Sequence, residues 1–91
     1  MINITDMQDA LRVWVEKNFP NGTSSDAIHG MAEEVGEASH AYLKRKQGIR
    51  YKEEEATELL KDAIGDVFIY MVDLCNKEEF DLEAVKREFD E

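Results

Sequence analysis

Apolar residues recur along the chain at three- and four-residue intervals in four stretches separated by short polar turns, and that spacing predicts four α-helices. The first carries Met7, Ala10, Leu11, Val13, Trp14 and Val15 and runs to about Asn18, opened by Thr5-Asp6-Met7-Gln8, which has capping-box form. Phe19-Pro20-Asn21-Gly22-Thr23 ends it. Ser24 or Ser25, followed by Asp26, is placed to cap a second helix. Its stripe is Ile28, Met31, Ala32, Val35, Ala38, Tyr42 and Leu43, and it lasts to about Lys46. After the turn Gln47-Gly48-Ile49-Arg50-Tyr51 a third helix runs from near Glu53 to about Asn76. Asp81 can cap a short last helix, Leu82 to Phe89, with Leu82, Val85 and Phe89 as its buried face.

No strand pattern competes, so the fold class is all-α. Two long helices joined by a short turn become antiparallel neighbours in a four-helix bundle. The 91 residues make one domain, 1–91, whose modest core predicts assembly into an oligomer, a homodimer or a homotetramer. A net charge of -10 argues against binding a nucleic-acid polymer or an anionic membrane, since such proteins offer basic stripes to phosphates. The longest apolar run, Val67 to Val72, is far too short to span a bilayer. The single cysteine, Cys75, lies in an apolar run and reads as a core residue. With no basic and apolar leader at the start, a cytoplasmic protein is the simplest expectation.

Carboxylates interrupt the apolar pattern at two places, Glu33-Glu34-Val35-Gly36-Glu37 and Asp62-Ala63-Ile64-Gly65-Asp66. In the first, Glu34 and Glu37 are three apart and Glu33 precedes Glu37 by four, so all three are neighbours on one helix. In the second, Asp62 and Asp66 are one turn apart, and Asp73 lies seven beyond on the same side of a helix that is otherwise largely apolar. Close carboxylates repel one another unless a cation lies between them, and an oxygen-only ligand set suits Mg²⁺ or Mn²⁺. The plain alternative is an exposed acidic stripe. Lys44 follows Glu37 by seven and Arg45 follows Glu34 by eleven, and Arg50, Lys52 and Lys61 lie close by in sequence, so a phosphate chain held at the acids has cations within reach. Cations near a helix C-terminus are also favoured by the dipole alone.

The order of a first helix with Leu11-Arg12-Val13-Trp14, then Met31-Ala32-Glu33-Glu34-Val35-Gly36-Glu37, then Gly65-Asp66-Val67-Phe68-Ile69-Tyr70, then Phe80-Asp81-Leu82-Glu83 resembles the MazG-like nucleotide pyrophosphohydrolases. That resemblance spans nearly the whole chain. It implies an obligately oligomeric all-α enzyme that uses Mg²⁺ to cleave nucleoside triphosphates to monophosphate and pyrophosphate. By position Glu34, Glu37 and Asp66 are then metal ligands, Glu33 fills the first acidic place and orients the attacking water, and Tyr70 lies near the nucleotide. Lys44 and Lys61 are the expected substrate cations. The family's pattern sets a glutamate three residues before Asp66, where this chain has Ala63; the nearest acid, Asp62, faces the site from one turn away.

Two other classes of function fit parts of the chain. Glu37-Ala38-Ser39-His40 is a Glu-x-x-His word of the kind that di-iron carboxylate bundles carry on facing helices. A non-enzymatic acidic helical dimer, which keeps the fold without the ligand missing at Ala63, is the other. His29 and His40 read as surface or packing residues, and Trp14 as core, with stacking over a base as its functional alternative.

Overall fold

The computed structural model describes residues 2–90, with side chains through Phe89. Four helices follow in order, α1 Ile4–Asn18, α2 Ser24–Gln47, α3 Glu53–Lys77 and α4 Leu82–Asp90, and no strand occurs among the described residues. The expected boundaries lie within a few residues of these, but two caps shift. Asn3, not Thr5, caps α1, its side-chain oxygen accepting from the Asp6 N–H at 2.8 Å. Thr23, not Ser24 or Ser25, caps α2 in a reciprocal capping box with Asp26. Gly48 closes α2 at φ 69°, a left-handed conformation that glycine adopts without a Cβ penalty. Asp81 accepts from the Glu83 N–H and opens α4 as the sequence predicts.

Helices α2 and α3 form an antiparallel hairpin. Ser24 meets Glu78, Gly30 meets Tyr70 and Arg45 meets Thr57, so positions advance along one helix as they retreat along the other. Its seam is made of small residues, with Ala27 and Ala41 of α2 and Ala56 and Ala63 of α3 all buried. Helices α1 and α4 pack at the C-terminal end of α3, where Val72, Cys75 and Leu82 form a core with Ile4, Met7, Leu11 and Met71 around it. Cys75 is a core residue as expected, and burial pushes its thiol pKa up. Gln8 is buried among these helices, donating to the Phe80 carbonyl at 2.8 Å and accepting from the Leu82 N–H at 2.9 Å. One side chain of α1 thereby holds the start of α4.

Several apolar residues predicted to be core lie at the surface of this single chain. Trp14 is 52 % exposed and Phe89 93 %, with Val85 exposed beside it. Ile28, Val35 and Tyr42, seven apart on α2, share one exposed face, and Ile64 and Phe68 extend it on α3. On each helix this face lies roughly opposite Glu33, Glu37, Asp62 and Asp66. The hairpin is therefore a layer with an apolar side and an acidic side, and the alanine seam runs between them.

Candidate functional site

The acidic side is assembled by helical periodicity within α2. One carboxylate oxygen each from Glu33, Glu34 and Glu37 lies within 4.8 Å of the others. Glu33 and Glu37 are exposed at the rim, and Glu34 is half-buried, directed toward the seam. One of its oxygens, Oε2, is fully buried without a hydrogen-bond partner. Burial raises the Glu34 pKa above the ordinary carboxylate value, and the hydrogen bond with Glu37 and the charges of Glu37, Asp66 and Glu33 raise it further. An unpartnered carboxylate oxygen facing three other acids is a site that a cation would complete.

The antiparallel register brings Asp66 of α3 level with Glu34, near enough for its charge to act on that carboxyl. Both line one cleft of about 710 Å³, together with Trp14, Phe19, Ile69, Tyr70, Asp73 and Lys77. Aromatic and aliphatic walls beside a polar end are what a small-molecule site requires. Tyr70 is seated against Gly30, whose missing Cβ leaves room for the ring. Trp14, expected in the core, instead lines this cleft from α1. Its ring packs beside that of Phe19, tilted by 58° with 5.7 Å between centroids.

The remaining predicted residues fall elsewhere. Asp62 is exposed and lines a separate shallow concavity with Tyr51, Lys52, Glu54, Glu55, Glu58 and Leu59. Ala63 is packed in the hairpin seam, so it faces α2 rather than the cleft. Lys61 pairs with Glu58 at 3.4 Å and Lys44 donates to Gln47 at 3.3 Å. Arg45 donates to Thr57 and lies over the Tyr42 ring. The cation that does line the cleft is Lys77, eleven residues after Asp66 and not among the cations expected from the sequence. His29 contacts Ser25, and His40 contacts Arg50 and Tyr51, so the Glu-x-x-His word does not converge on the acids.

The donor set fits a hard divalent cation, since three carboxylates of α2 converge, with the charge of Asp66 felt from α3 and no thiol or imidazole in the cluster. Fold and site together define an all-α hairpin protein with an acidic cleft. Compared with protein-family models, curated proteins and solved structures, the chain finds no match.

Proposed function

We propose that this protein is a Mg²⁺-dependent nucleoside triphosphate pyrophosphohydrolase, releasing a nucleoside monophosphate and pyrophosphate. The observation that carries this reading is the buried, unpartnered Oε2 of Glu34, set among Glu33, Glu37 and Asp66 at one end of an aromatic cleft. Glu34, Glu37 and Asp66 would hold the cation, with Mn²⁺ as its substitute, and Asp62 would be the further ligand. Neutralisation of the triphosphate and polarisation of a phosphoryl oxygen are what the bound ion supplies.

Glu33, exposed at the rim, orients the attacking water and accepts its proton. The new bond joins water oxygen to phosphorus as the phosphoanhydride bond breaks, and pyrophosphate leaves with the electron pair. Trp14, Phe19 and Tyr70 seat the nucleoside, and Lys44 and Lys61, which lie outside the cleft, steer the polyphosphate by their charge. The apolar face of Ile28, Val35, Tyr42, Ile64 and Phe68 joins copies of the chain into a homodimer or homotetramer in the cytoplasm. A core in which Val72 is the largest fully buried side chain argues for that further burial.

A pyrophosphate-release screen across ribo- and deoxynucleoside triphosphates with Mg²⁺ or Mn²⁺ tests the activity, with sedimentation of the same samples reporting the assembly. Mg²⁺ at a hundred times its Kd stabilises by about 2.7 kcal/mol. In a chain of this size that raises Tm by roughly 10–20 °C. Glu37→Gln should abolish both the shift and the turnover while keeping the helical circular dichroism. A wild-type protein with neither shift nor turnover would overturn the proposal.

A further inference from the structure

The triphosphate chemistry uses one end of the cleft and leaves an ion pair at the other unexplained. Asp73 and Lys77, one turn apart on α3, meet at 2.6 Å with side chains only 13 % and 17 % exposed. The other ion pairs shown among the described residues, Arg12–Asp9, Lys61–Glu58 and Lys86–Glu83, are surface pairs. Removing two charges from water in this way is poorly repaid by their attraction unless further polar groups complete them. Asp73 Oδ1 is taken by Lys77, which leaves the other oxygen to accept and the ammonium with N–H groups to donate.

Position says what they face. Asp73 follows Asp66 by seven residues, about 10 Å along the axis and on the same side of the helix. Ile69 and Tyr70 lie between them on the same wall, and Leu11, Trp14 and Val15 of α1, with Phe19 just beyond its end, stand across the cleft. Carboxylates, then apolar and aromatic walls, then the Asp73–Lys77 pair with the α2 capping residue Asp26 at the same end, follow the order of polarity along a nucleotide, from phosphates through the sugar to the polar edge of a planar base. Asp73, Lys77, Val15 and Phe19 also border a second concavity on the far side, so the pair forms the partition at which the cleft ends.

We infer that the Asp73–Lys77 pair reads the hydrogen-bonding edge of the base and makes the cleft selective among nucleosides. Every base edge sets donors beside acceptors in its own order, and a pair fixed by its own ion bond meets that order with one fixed arrangement of its own. The inference rests on the cleft being a nucleotide site, but it concerns binding and needs no hydrolysis. Trp14 is the one tryptophan of the chain and lines the cleft, so its fluorescence reports occupancy directly.

The experiment titrates adenosine, cytidine, guanosine, uridine and thymidine, without phosphate or metal, into the wild-type protein, Asp73→Asn and the neutral pair Asp73→Asn with Lys77→Gln. Asp73→Asn keeps side-chain size, the second variant leaves an amide at each position able to donate and accept, and circular dichroism verifies the fold. In the wild type the tightest and weakest nucleosides should differ in Kd by roughly tenfold or more, the discrimination a polar pocket gains by leaving groups unpaired against the wrong ligand. Asp73→Asn should change the order of preference, and the neutral pair should shrink the spread to about threefold or less. The Mg²⁺-dependent thermal shift should stay as in the wild type for both. Absence of nucleoside binding to the wild type, or an equal weakening of all five in the variants, overturns the inference. Selective binding without pyrophosphate release refutes the hydrolase reading and leaves this one standing.

Discussion

Replacing glycine by alanine inside a helix ordinarily stabilises it by up to about 1 kcal/mol, and at Gly30 the sign should reverse. A Cβ built there lies 2.5 Å from Cε1 of Tyr70, 2.6 Å from Cζ and 2.9 Å from Cδ1. Carbon atoms in contact prefer about 3.5–4.0 Å. The atoms belong to a rigid ring on the cleft wall, so relief requires Tyr70 to swing off α2 or the two helices to part. Overpacking of this kind costs about 1–3 kcal/mol. Three ring atoms inside 3 Å put Gly30→Ala in the upper half of that range, and the helical gain of alanine offsets part of it. The net loss should be roughly 1–2 kcal/mol, a fall in Tm of about 5–15 °C. Gly36 and Gly65 supply the contrast, since a Cβ on either meets nothing within 4 Å. Gly36→Ala and Gly65→Ala should each gain about 0.5–1 kcal/mol. Urea denaturation of the three variants measures the difference, and adding Tyr70→Leu to Gly30→Ala should recover most of the loss. Should Gly30→Ala match or exceed the wild type, the close approach of Tyr70 to α2 is refuted.

Two further outcomes follow from the interior. Gln8→Leu strips the Leu82 N–H and the Phe80 carbonyl of their partner, and should lower stability by about 2–3 kcal/mol in urea melts, whereas a change below about 0.5 kcal/mol would show that water replaces Gln8. The Glu34 carboxyl has a raised pKa in the fold, so between its ordinary value and the raised one the folded chain binds more protons than the unfolded chain. Stability of the metal-free protein should therefore fall as pH rises through that window. Glu34→Gln should flatten that part of the pH profile, and Mg²⁺ binding there should release protons, seen as a heat that varies with the buffer; identical profiles for the variant and the wild type would contradict the assignment.

Much of this molecule is legible along one dimension. Helix ends are local events, decided by Thr23 with Asp26, by Gly48 and by Asp81, and misplacing a cap by two residues, as at Thr5 for Asn3, leaves the helix intact. Burial is less legible. Trp14, Val35 and Phe89 are as apolar as Val72, yet they lie exposed in this chain, because the hairpin closes on alanines and offers the larger side chains no facing layer.

The same division runs through the site. Glu33 and Glu34 converge on Glu37 because residues four and three apart on a helix are neighbours whatever the helix packs against, so that cluster is written in the spacing alone. The four helices and their antiparallel pairing are written there as well, since short turns leave long helices little choice. It took the packing of the helices to put Asp66 in one cleft with Glu34 while Asp62 borders another concavity, to line that cleft with Lys77 rather than Lys61, and to bring Trp14 to it. Those outcomes depend on the register and rotation of α3 against α2 and on where α1 crosses it. That geometry is set by the alanine seam and the seat of Tyr70 on Gly30, contacts between residues far apart in the chain that no local spacing encodes.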